Sequence, residues 1–394
     1  MAGRNTGLDY GTAGESHGPC VLATITGLPA GLAVDTDFIN AELARRQGGY
    51  GRGGRQKIET DRAEFLSGVR LGKAIGSPLT ISVVNRDSRL DDLERTPPVS
   101  RPRPGHADLA GAIKTLTTDC RNTLERASAR ETAGRVAAGA VARCLLREIG
   151  VEVFGFVRSI GGVRTNVTVD ATNWRDALIA RNASETYCPD DAVTSRQCEL
   201  IRQAKIDKDT LGGMCEVHVF GCPIGLGSTV DWRDKLDANI ALAVMSIQAF
   251  KSVEIGMGRD VADVSGSQVH DPIGYDASLR STPALGFVRS RNNAGGIEGG
   301  MTNGQPIVVR GAMKPISTLL QGMPSIDLNT LQPEQSQYER SDVCAVSAAS
   351  VVMENVVAFE IARAAMAKYA GDTVDEFVHA WQHHLDAARK LATE

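Results

Sequence analysis

The stretch SARETAGRVAAGAVARCLLREIG, residues 128–150, predicts a long helix. Its apolar residues recur at helical spacing, and Gly150 ends the run. Ser128 and Glu131 form the S-x-x-E pattern of a capping box at its start. Because its alanines and Gly139 carry little or no side chain, we expect another element to pack closely against this helix.

Further segments show the patterns of regular elements. They are a strand in 20–29, a helix in 35–49, two strands around a turn in 64–87, a helix followed by a strand in 234–256, and an amphipathic helix in about 373–392. In the last helix, Thr373 and Glu376 form a second capping box. Phe377, Trp381 and Leu385 share one of its faces, which indicates that this face packs on the protein.

The order of these elements bears on the fold class. Paired strands with long helices between them predict an α+β layered fold. A doubly wound sheet of the Rossmann type would alternate single strands with helices, and that rhythm is missing. No stretch between residues 1 and 394 has the composition of a linker, so we expect a single domain.

The composition is that of a globular protein. Of its 394 residues, 42% are hydrophobic and 23% are charged, and the net charge is −4. A negative chain does not attract nucleic acid through its overall charge, so we expect no nucleic-acid partner. Eight cysteines without a C-x-x-C pair predict reduced thiols in a cytoplasmic protein. No run approaches the roughly 18 apolar residues of a membrane span.

The segment RQGGYGRGGRQKIETDR, residues 46–62, concentrates arginines among glycines. The guanidinium groups of Arg46, Arg52 and Arg55 are suited to bind phosphate or carboxylate through paired hydrogen bonds. A solvated surface loop is the alternative interpretation, since most charge runs are of that kind. GYGRGG has the letters of G-x-G-x-x-G, but it follows a helix rather than a strand and therefore does not predict a dinucleotide site.

Two histidines lie in loops bounded by glycine or proline. His17 lies in GESHG, residues 14–18, whose letters fit the nucleophile elbow G-x-S-x-G. Because Ser16 precedes the first clear strand, we expect a histidine acid rather than an acyl-enzyme, with a structural histidine as the alternative. His106 lies in RPGHAD, residues 103–108, before a helical segment whose N-terminus would attract an anion.

Three more segments, 292–306, 314–319 and 339–349, mix charged and small residues as loops that line a site do. Long motifs occur in the order GESHGP, RRQGGYGRGGRQKIETD, FLSGVRLGKAIGSPLTISVVNRD, RPGHADLAGAIK, RNTLERASARETAGRVAAGAVAR, VEIGMG, RNNAGGIEGGMTNGQPIVVRGAMKPIST and ERSDVCAVSAA. In this order they resemble the chorismate synthase family, from about residue 8 to about residue 370.

That resemblance implies a lyase that forms chorismate from 5-enolpyruvylshikimate 3-phosphate, the last common step towards the aromatic amino acids. It implies an anti 1,4-elimination of phosphate and a ring hydrogen, which requires reduced FMN without net redox change. NADPH would enter only as a reductant of that flavin. The implied fold is a β-α-β sandwich with internal duplication, and the implied assembly is a homotetramer.

The resemblance also implies roles for particular residues. His17 and His106 match the proposed acids, the first by the leaving phosphate and the second by the flavin. Arg46 and Arg52 match arginines at the substrate or NADP anion site. Asp342 matches the aspartate that assists proton removal through flavin N5. The implied FMN contacts are Arg126, Ala127, Ser128, Gln248, Ala249, Gly299, Lys314, Pro315, Ile316, Ser317, Thr318 and Arg340, and no metal ligand is implied.

Two short segments depart from the family pattern. Ser347 stands where the family usually has the proline of VPAA, and SIQAFKS, residues 246–252, stands where it commonly has SIPAVKG. Neither departure removes a charged catalytic group. Two other function classes stay open. One is an RNA-binding protein that uses GYGRGGR, although the missing RNA-recognition motif and the net charge argue against it. The other is a phosphate-handling enzyme without flavin.

Overall fold

A computed structural model gives the fold and describes residues 7–53, 60–337, 339 and 342–391. Within them the helices are α1 (Thr36–Gln47), α2 (Asp108–Lys114), α3 (Arg121–Ala127), α4 (Thr132–Arg147), α5 (Trp174–Ala183), α6 (Asp191–Ile206), α7 (Leu236–Met245), α8 (Gly266–Val269), α9 (Val346–Tyr369) and α10 (Val374–Lys390). The longer strands there are β1 (Asp9–Ala13), β2 (Cys20–Thr26), β3 (Glu64–Ser67), β6 (Leu79–Val84), β7 (Glu152–Ile160), β9 (Gly213–Phe220), β10 (Phe250–Ile255) and β15 (Ile307–Met313). The short strands are β4 (Val69–Arg70), β5 (Lys73–Ala74), β8 (Val163–Arg164), β11 (Ile273–Tyr275), β12 (Phe287–Arg289), β13 (Ile297–Glu298), β14 (Met301–Thr302), β16 (Pro324–Ile326) and β17 (Pro333–Gln335).

The helix predicted in 128–150 is present, but its start differs from the prediction. Ser128 caps a single turn of 3-10 helix by accepting from the N–H of Arg130, and α4 begins after that turn. The predicted capping box is wrong, because the buried carboxylate of Glu131 accepts hydrogen bonds from Arg135 and Thr12 instead. The cap therefore begins a short turn ahead of α4, and Glu131 ties α4 to β1.

The other predicted elements are confirmed. Strand β2 and helix α1 lie where the pattern placed them, and Asp35 caps α1 by accepting from the N–H of Phe38 at 2.9 Å. The two strands of 64–87 are β3 and β6, with the small hairpin β4–β5 between them. Helix α7 precedes strand β10 as expected. Helix α10 begins with the predicted Thr373–Glu376 capping box, and Phe377 and Leu385 on its inner face are buried.

The two larger sheets share one topology. The first has antiparallel strands in the order β1-β2-β6-β3, which is 1-2-4-3 when these strands are counted along the chain. The second has the order β7-β9-β15-β10, again 1-2-4-3, with β8 added beside β7. In both, a helix lies between the second and third strands (α1 or α7), and a long helix follows the fourth (α4 or α9). This repetition is the internal duplication that the resemblance implies.

The long helices form a layer between the two sheets. Helix α4 packs against β2 and β6, α9 packs against β7 and β9, and the two helices pack against each other. The two helices cross so closely at Gly139 that a Cβ atom added there would lie 2.3 Å from the carbonyl oxygen of Asn355. Only glycine fits at this crossing, because it has no side chain. The prediction of a close approach at Gly139 is confirmed. The architecture is the expected α+β sandwich of sheet, helices and sheet, and not a Rossmann fold.

A buried network of charged groups connects the two repeats within this helical layer. Glu354 of α9 is fully buried and accepts from Arg45 at 2.7 Å and Arg181 at 3.1 Å, with Arg143 at 3.2 Å. Glu42 of α1 accepts from Arg143 at 2.9 Å and also pairs with Arg45. Burial alone would raise the pKa of Glu42, but Arg45 and Arg143 outweigh it and lower that pKa to about 2. Glu42 is therefore ionised, and the ion pairs of Glu42 and Glu354 hold α1, α4, α5 and α9 together.

Candidate active site

A cavity of about 590 Å³ lies where loops of the two repeats meet. The first repeat lines it from the β1–β2 turn, the end of α1, the segment after β6 and the start of α4. These residues are Ser16, His17, Arg46, Arg52, Gly53, Asp87, Arg89, Arg103, Gly105, His106, Ala107, Leu124, Ala127, Ser128, Ala129, Arg130 and Thr132. The second repeat lines it after α7, after β15 and at the start of α9. These residues are Ile247, Gln248, Ala249, Met313, Lys314, Ile316, Ser317, Thr318, Glu339, Asp342, Ala345, Ala348, Ala349 and Val352.

His17 lies in the β1–β2 turn and is held by Glu125 of α3. Its backbone N–H donates to Glu125 Oε2 at 2.8 Å, and its Nδ1 lies 2.8 Å from Glu125 Oε1. Burial alone would raise the pKa of Glu125, but hydrogen bonding and charge from His17 lower it. Glu125 is therefore a carboxylate that only accepts, so Nδ1 carries a proton. Nε2 lies 3.4 Å from Arg89 Nη2 and 3.9 Å from Asp87 Oδ2, both of which line the cavity.

His106 follows the Pro104–Gly105 turn and pairs with Asp108 at the start of α2. Asp108 is fully buried and also accepts from Arg103 Nε at 2.8 Å and from Arg103 Nη2 at 3.0 Å. Burial alone would raise the pKa of Asp108, but hydrogen bonds from His106 and Arg103 hold it well below its usual range. The second histidine, like the first, is thus held by a buried carboxylate at the cavity wall.

The two arginines predicted at the anion site both line the cavity, and each already pairs with a carboxylate. Arg46 is buried and donates to Asp61 at 2.6 Å, and Arg130 donates to the other oxygen of Asp61 at 2.6 Å. Burial lowers the pKa of Arg46, and Asp61 opposes this shift. Arg52 pairs with Asp342, whose other oxygen accepts from the N–H of Gly53 at 2.6 Å. The structure therefore brings the predicted anion-binding Arg52 and the predicted catalytic Asp342 into direct contact; Arg55 lies outside the described residues.

Most of the predicted flavin contacts gather on the cavity wall. They are Ala127, Ser128, Gln248, Ala249, Lys314, Ile316, Ser317 and Thr318. Arg126, Pro315 and Gly299 are not among the described lining residues. Arg126 is half-exposed and donates to Thr12, Pro315 lies between two lining residues, and Gly299 lies in the exposed turn between β13 and β14. Arg340 lies outside the described residues.

The second-repeat side of the cavity fits a flavin phosphate ester. Its wall is largely apolar or small, which suits a flat aromatic ring. Gln248 donates from Nε2 to Glu131, while its buried Oε1 has no hydrogen-bond partner within the described chain. That oxygen can accept from a ligand N–H. Within the described residues, no carboxylate pairs with Lys314. Burial and the charge of Lys251 lower the pKa of Lys314. An anion bound beside Lys314 would therefore stabilise its charged form.

The residues that sequence reasoning left unassigned are mainly those that hold the predicted ones. Glu125 and Arg130 lie in LERASARET, and Arg103 and Asp108 lie in RPRPGHAD, so each was within a motif quoted for the resemblance. Asp61, near the end of the basic segment 46–62, likewise lies within a quoted motif. Because these charged residues stand close in sequence to predicted site residues, their charge was the signal that could have identified them. Which carboxylate pairs with which cation could not be derived from spacing, because the partners come from different elements.

The structure also shows where the smaller sequence motifs lie. Ser16 does not precede the first strand, because β1 lies before it; a strand rather than a helix follows, so the geometry of a nucleophile elbow is still missing. GYGRGG follows α1, as predicted. The buried Ser347 donates to the carbonyl of Thr186 at 3.1 Å and does not line the cavity. None of the eight cysteines, all within described segments, forms a disulfide.

Within the described residues, no group of three or more histidine, cysteine, aspartate or glutamate side chains could hold a metal ion. A search of the same residues for a helix long and apolar enough to cross a membrane finds none. The fold and the site together define an α+β protein whose two repeats share a cavity lined by histidines, basic side chains and an apolar wall.

The chain belongs to the chorismate synthase family. The family model described as chorismate synthase matches residues 8–366. The chorismate synthase of Desulforamulus reducens is 50% identical over 387 residues, covering 95% of this chain and 98% of that relative. The chorismate synthase of Geobacter metallireducens is 51% identical over 397 residues, covering 98% and 100%. A chorismate synthase crystal structure matches with a TM-score of 0.78 at 38% identity, covering 98% of this chain and 99% of the other. The chain is therefore a lyase of the shikimate pathway, and its family implies a flavin cofactor.

Proposed function

We propose that this chain converts 5-enolpyruvylshikimate 3-phosphate into chorismate by anti 1,4-elimination of phosphate and a ring hydrogen, with reduced FMN in the same cavity. The observation that carries the proposal is the two-sided cavity. Six arginine and lysine side chains line its described part against three carboxylates, and both histidines lie among them. Opposite lies a largely apolar wall. A substrate with one phosphate and two carboxylates suits the first side, and a flavin ring suits the second.

On the cationic side, this chain's residues would orient the substrate and move protons. His17 donates a proton to the leaving phosphate from Nε2, because Glu125 already holds Nδ1. Arg52 and Arg46 bind anionic groups of the substrate at the wall beside it. Asp342 takes part in removal of the ring proton, and its carboxylate is kept in position by Arg52 and the N–H of Gly53. Water is kept from the reacting carbon atoms by the cavity walls.

On the apolar side, other residues would bind the cofactor. Lys314 and Ser317 would bind its phosphate, Gln248 would accept a hydrogen bond from it, and Ile247 and Ala249 would supply apolar contacts. His106, fixed by Asp108, would hold a proton on the flavin side of the cavity. When bound, reduced FMN supplies electron density to the substrate without being consumed.

The test is a stoichiometry measured without oxygen on purified protein with reduced FMN and the shikimate ester. Many molecules of chorismate and of phosphate should form for each reduced FMN, with no matching consumption of reductant. Oxidised FMN should bind without supporting turnover. One reductant spent for each product would identify an ordinary flavin oxidoreductase, and phosphate release that needs no FMN would identify a phosphate-handling enzyme.

We further propose a single-domain subunit, a homotetramer and a cytoplasmic location. One hydrophobic core cluster contains residues of both repeats, from Leu8 to Phe377, which supports one cooperative unit. Trp232, Leu242 and Met245, in or beside α7, are 76%, 69% and 46% exposed, which supports burial by further copies. Eight unpaired cysteines suit a reducing compartment. A single unfolding transition and a light-scattering mass of four subunits are the expected measurements.

A further inference from the structure

Glu125 makes three separate contacts with the β1–β2 turn, although it lies 108 residues from His17 along the chain. Its backbone carbonyl accepts from the N–H of Ser16 at 3.1 Å. Its Oε2 accepts from the N–H of His17 at 2.8 Å, and its Oε1 accepts from Nδ1 of the ring at 2.8 Å. One residue of α3 thus fixes both the backbone of the turn and the plane of the imidazole.

Glu125 does not itself line the described cavity, whereas His17 does. Glu125 is 1% exposed. Arg121 Nη1 lies 3.5 Å from Glu125 Oε1, and Arg121 Nη2 pairs with Glu339 at 3.0 Å. The side chain of Glu125 therefore reaches the cavity directly through His17, and less directly through Arg121 and Glu339. Among the described residues, the charged groups that face the ring include Glu125 from α3 and Asp87 and Arg89 from the segment after β6.

We propose that Glu125 is a positioning residue that sets the tautomer of His17, so that Nε2 is the ring atom presented to the substrate. A carboxylate offers two acceptor oxygens, and both are used here by N–H donors of the same residue. The ring is thereby fixed with its proton on Nδ1. The carboxylate lies on the Nδ1 side of the ring, which leaves Nε2 towards Arg89 and Asp87 of the cavity wall. This inference rests on the proposed role of His17 in proton transfer.

The substitution Glu125→Gln tests it, since it keeps the shape and removes one acceptor. If the amide oxygen accepts from the N–H of His17, the amide nitrogen faces Nδ1 and donates to it, which moves the ring proton to Nε2. We expect kcat to fall by roughly 10–100-fold, as for other residues that orient a functional histidine, while the KM for the shikimate ester changes little. The pH profile of kcat should also change, because the negative charge beside the ring is lost.

A second readout does not depend on activity. The ¹⁵N shifts of His17 should report the proton on Nδ1 in the unsubstituted protein and on Nε2 in Glu125→Gln. The matched control is Glu216→Gln, because Glu216 is also a buried carboxylate bound to a histidine, with 2.7 Å to His218 Nε2, on β9 and outside the described cavity lining. That control should leave the His17 shifts and the pH profile unchanged.

An unchanged tautomer and pH profile in Glu125→Gln, or the same loss in both variants, would overturn the inference. If Glu125→Gln does not fold, Glu125→Asp replaces it. The shorter side chain should lower kcat while the proton stays on Nδ1, and full activity in that variant would contradict positioning. Near wild-type turnover of His17→Ala would instead remove the proposed role of His17, whereas the ¹⁵N shifts would still decide whether Glu125 sets its tautomer.

Discussion

The two repeats have the same strand order, but they bring different side chains to the cavity between them. The first repeat supplies both histidines and five of the six lining arginine and lysine residues. The second supplies mostly apolar and small residues, with Lys314 as its cation in the described lining. The equivalent positions are the end of the middle helix, the segment after the fourth strand and the start of the long helix. Their backbones lie in corresponding places, while their chemistry differs.

One connection differs in length as well as in composition. In the first repeat β1 and β2 are joined by a short turn that carries His17 into the cavity. In the second, β7 and β9 are joined through α5 and α6, and no described residue of that connection lines the cavity. The comparison indicates that the fold decides where loops converge, and that the residues in those loops decide which repeat supplies the histidines and most of the cations and which supplies the apolar wall.

The sharpest test of this division is the loss of the first-repeat histidines. His17→Ala and His106→Ala should each lower kcat by on the order of 10²–10⁴, the range for a lost acid or base. His379→Ala, on the exposed face of α10, is the control and should keep full turnover. Near wild-type kcat in either of the first two variants would end the assignment of an acid role to that first-repeat histidine.

The connection between the repeats can be broken at Glu354. In Glu354→Gln the charges of Arg45, Arg143 and Arg181 lose a buried partner, so the free energy of unfolding should fall by about 3–5 kcal/mol. Denaturant unfolding measures this, and the exposed Glu199→Gln should behave like the unsubstituted protein. Equal stability of the two variants would show that the network does not hold the repeats together.

The binding role of the second repeat is tested at Lys314. Lys314→Met should weaken the affinity for FMN by about 10–100-fold, because a charge-assisted contact with the phosphate is lost. At saturating FMN the kcat should change much less. Lys251→Met is the matched control, since Lys251 is a neighbouring cation outside the described cavity lining. The affinities for FMN are measured by titration followed by flavin fluorescence. Equal weakening in Lys314→Met and Lys251→Met would contradict a specific phosphate contact.

A smaller effect is expected at Arg52. Arg52→Ala should raise the KM for the shikimate ester by about tenfold, because a charge-assisted hydrogen bond is lost. Arg52→Lys should recover only part of this, since an ammonium group cannot reproduce two parallel N–H donors. Arg202→Ala on the surface of α6 provides the control for charge alone. Full recovery by lysine would show that Arg52 acts as a simple positive charge.

The smallest expected effect concerns pH and the network between the repeats. The pKa of Glu42 is lowered from its ordinary 4.5 to about 2, so its contribution to stability is present above pH 4.5 and is lost as the pH falls towards 2. In Glu42→Gln the midpoint of urea unfolding should depend less on pH across that interval. The same acid dependence in both proteins would assign the effect to other carboxylates.

Local patterns in the sequence predicted the local structure well. The ends of α1 and α10 follow from Asp35, Gly48, Thr373 and Glu376, because capping involves residues a few positions apart. The same reasoning failed at Glu131. Its spacing from Ser128 fits a capping box, but its carboxylate accepts instead from Thr12 on β1 and from Arg135 one turn later on α4.

The sequence by itself determined that this is an α+β chain, where most elements lie, and through long motifs which family it resembles. Only the tertiary structure decided the repeated 1-2-4-3 order and the pairs across the cavity. Glu125 lies 108 residues from His17, and Asp342 lies 290 residues from Arg52. No periodicity links such residues, because their approach depends on how α4 and α9 pack between the sheets. The sequence shows which residues carry charge, and only the packed fold shows which of them pair.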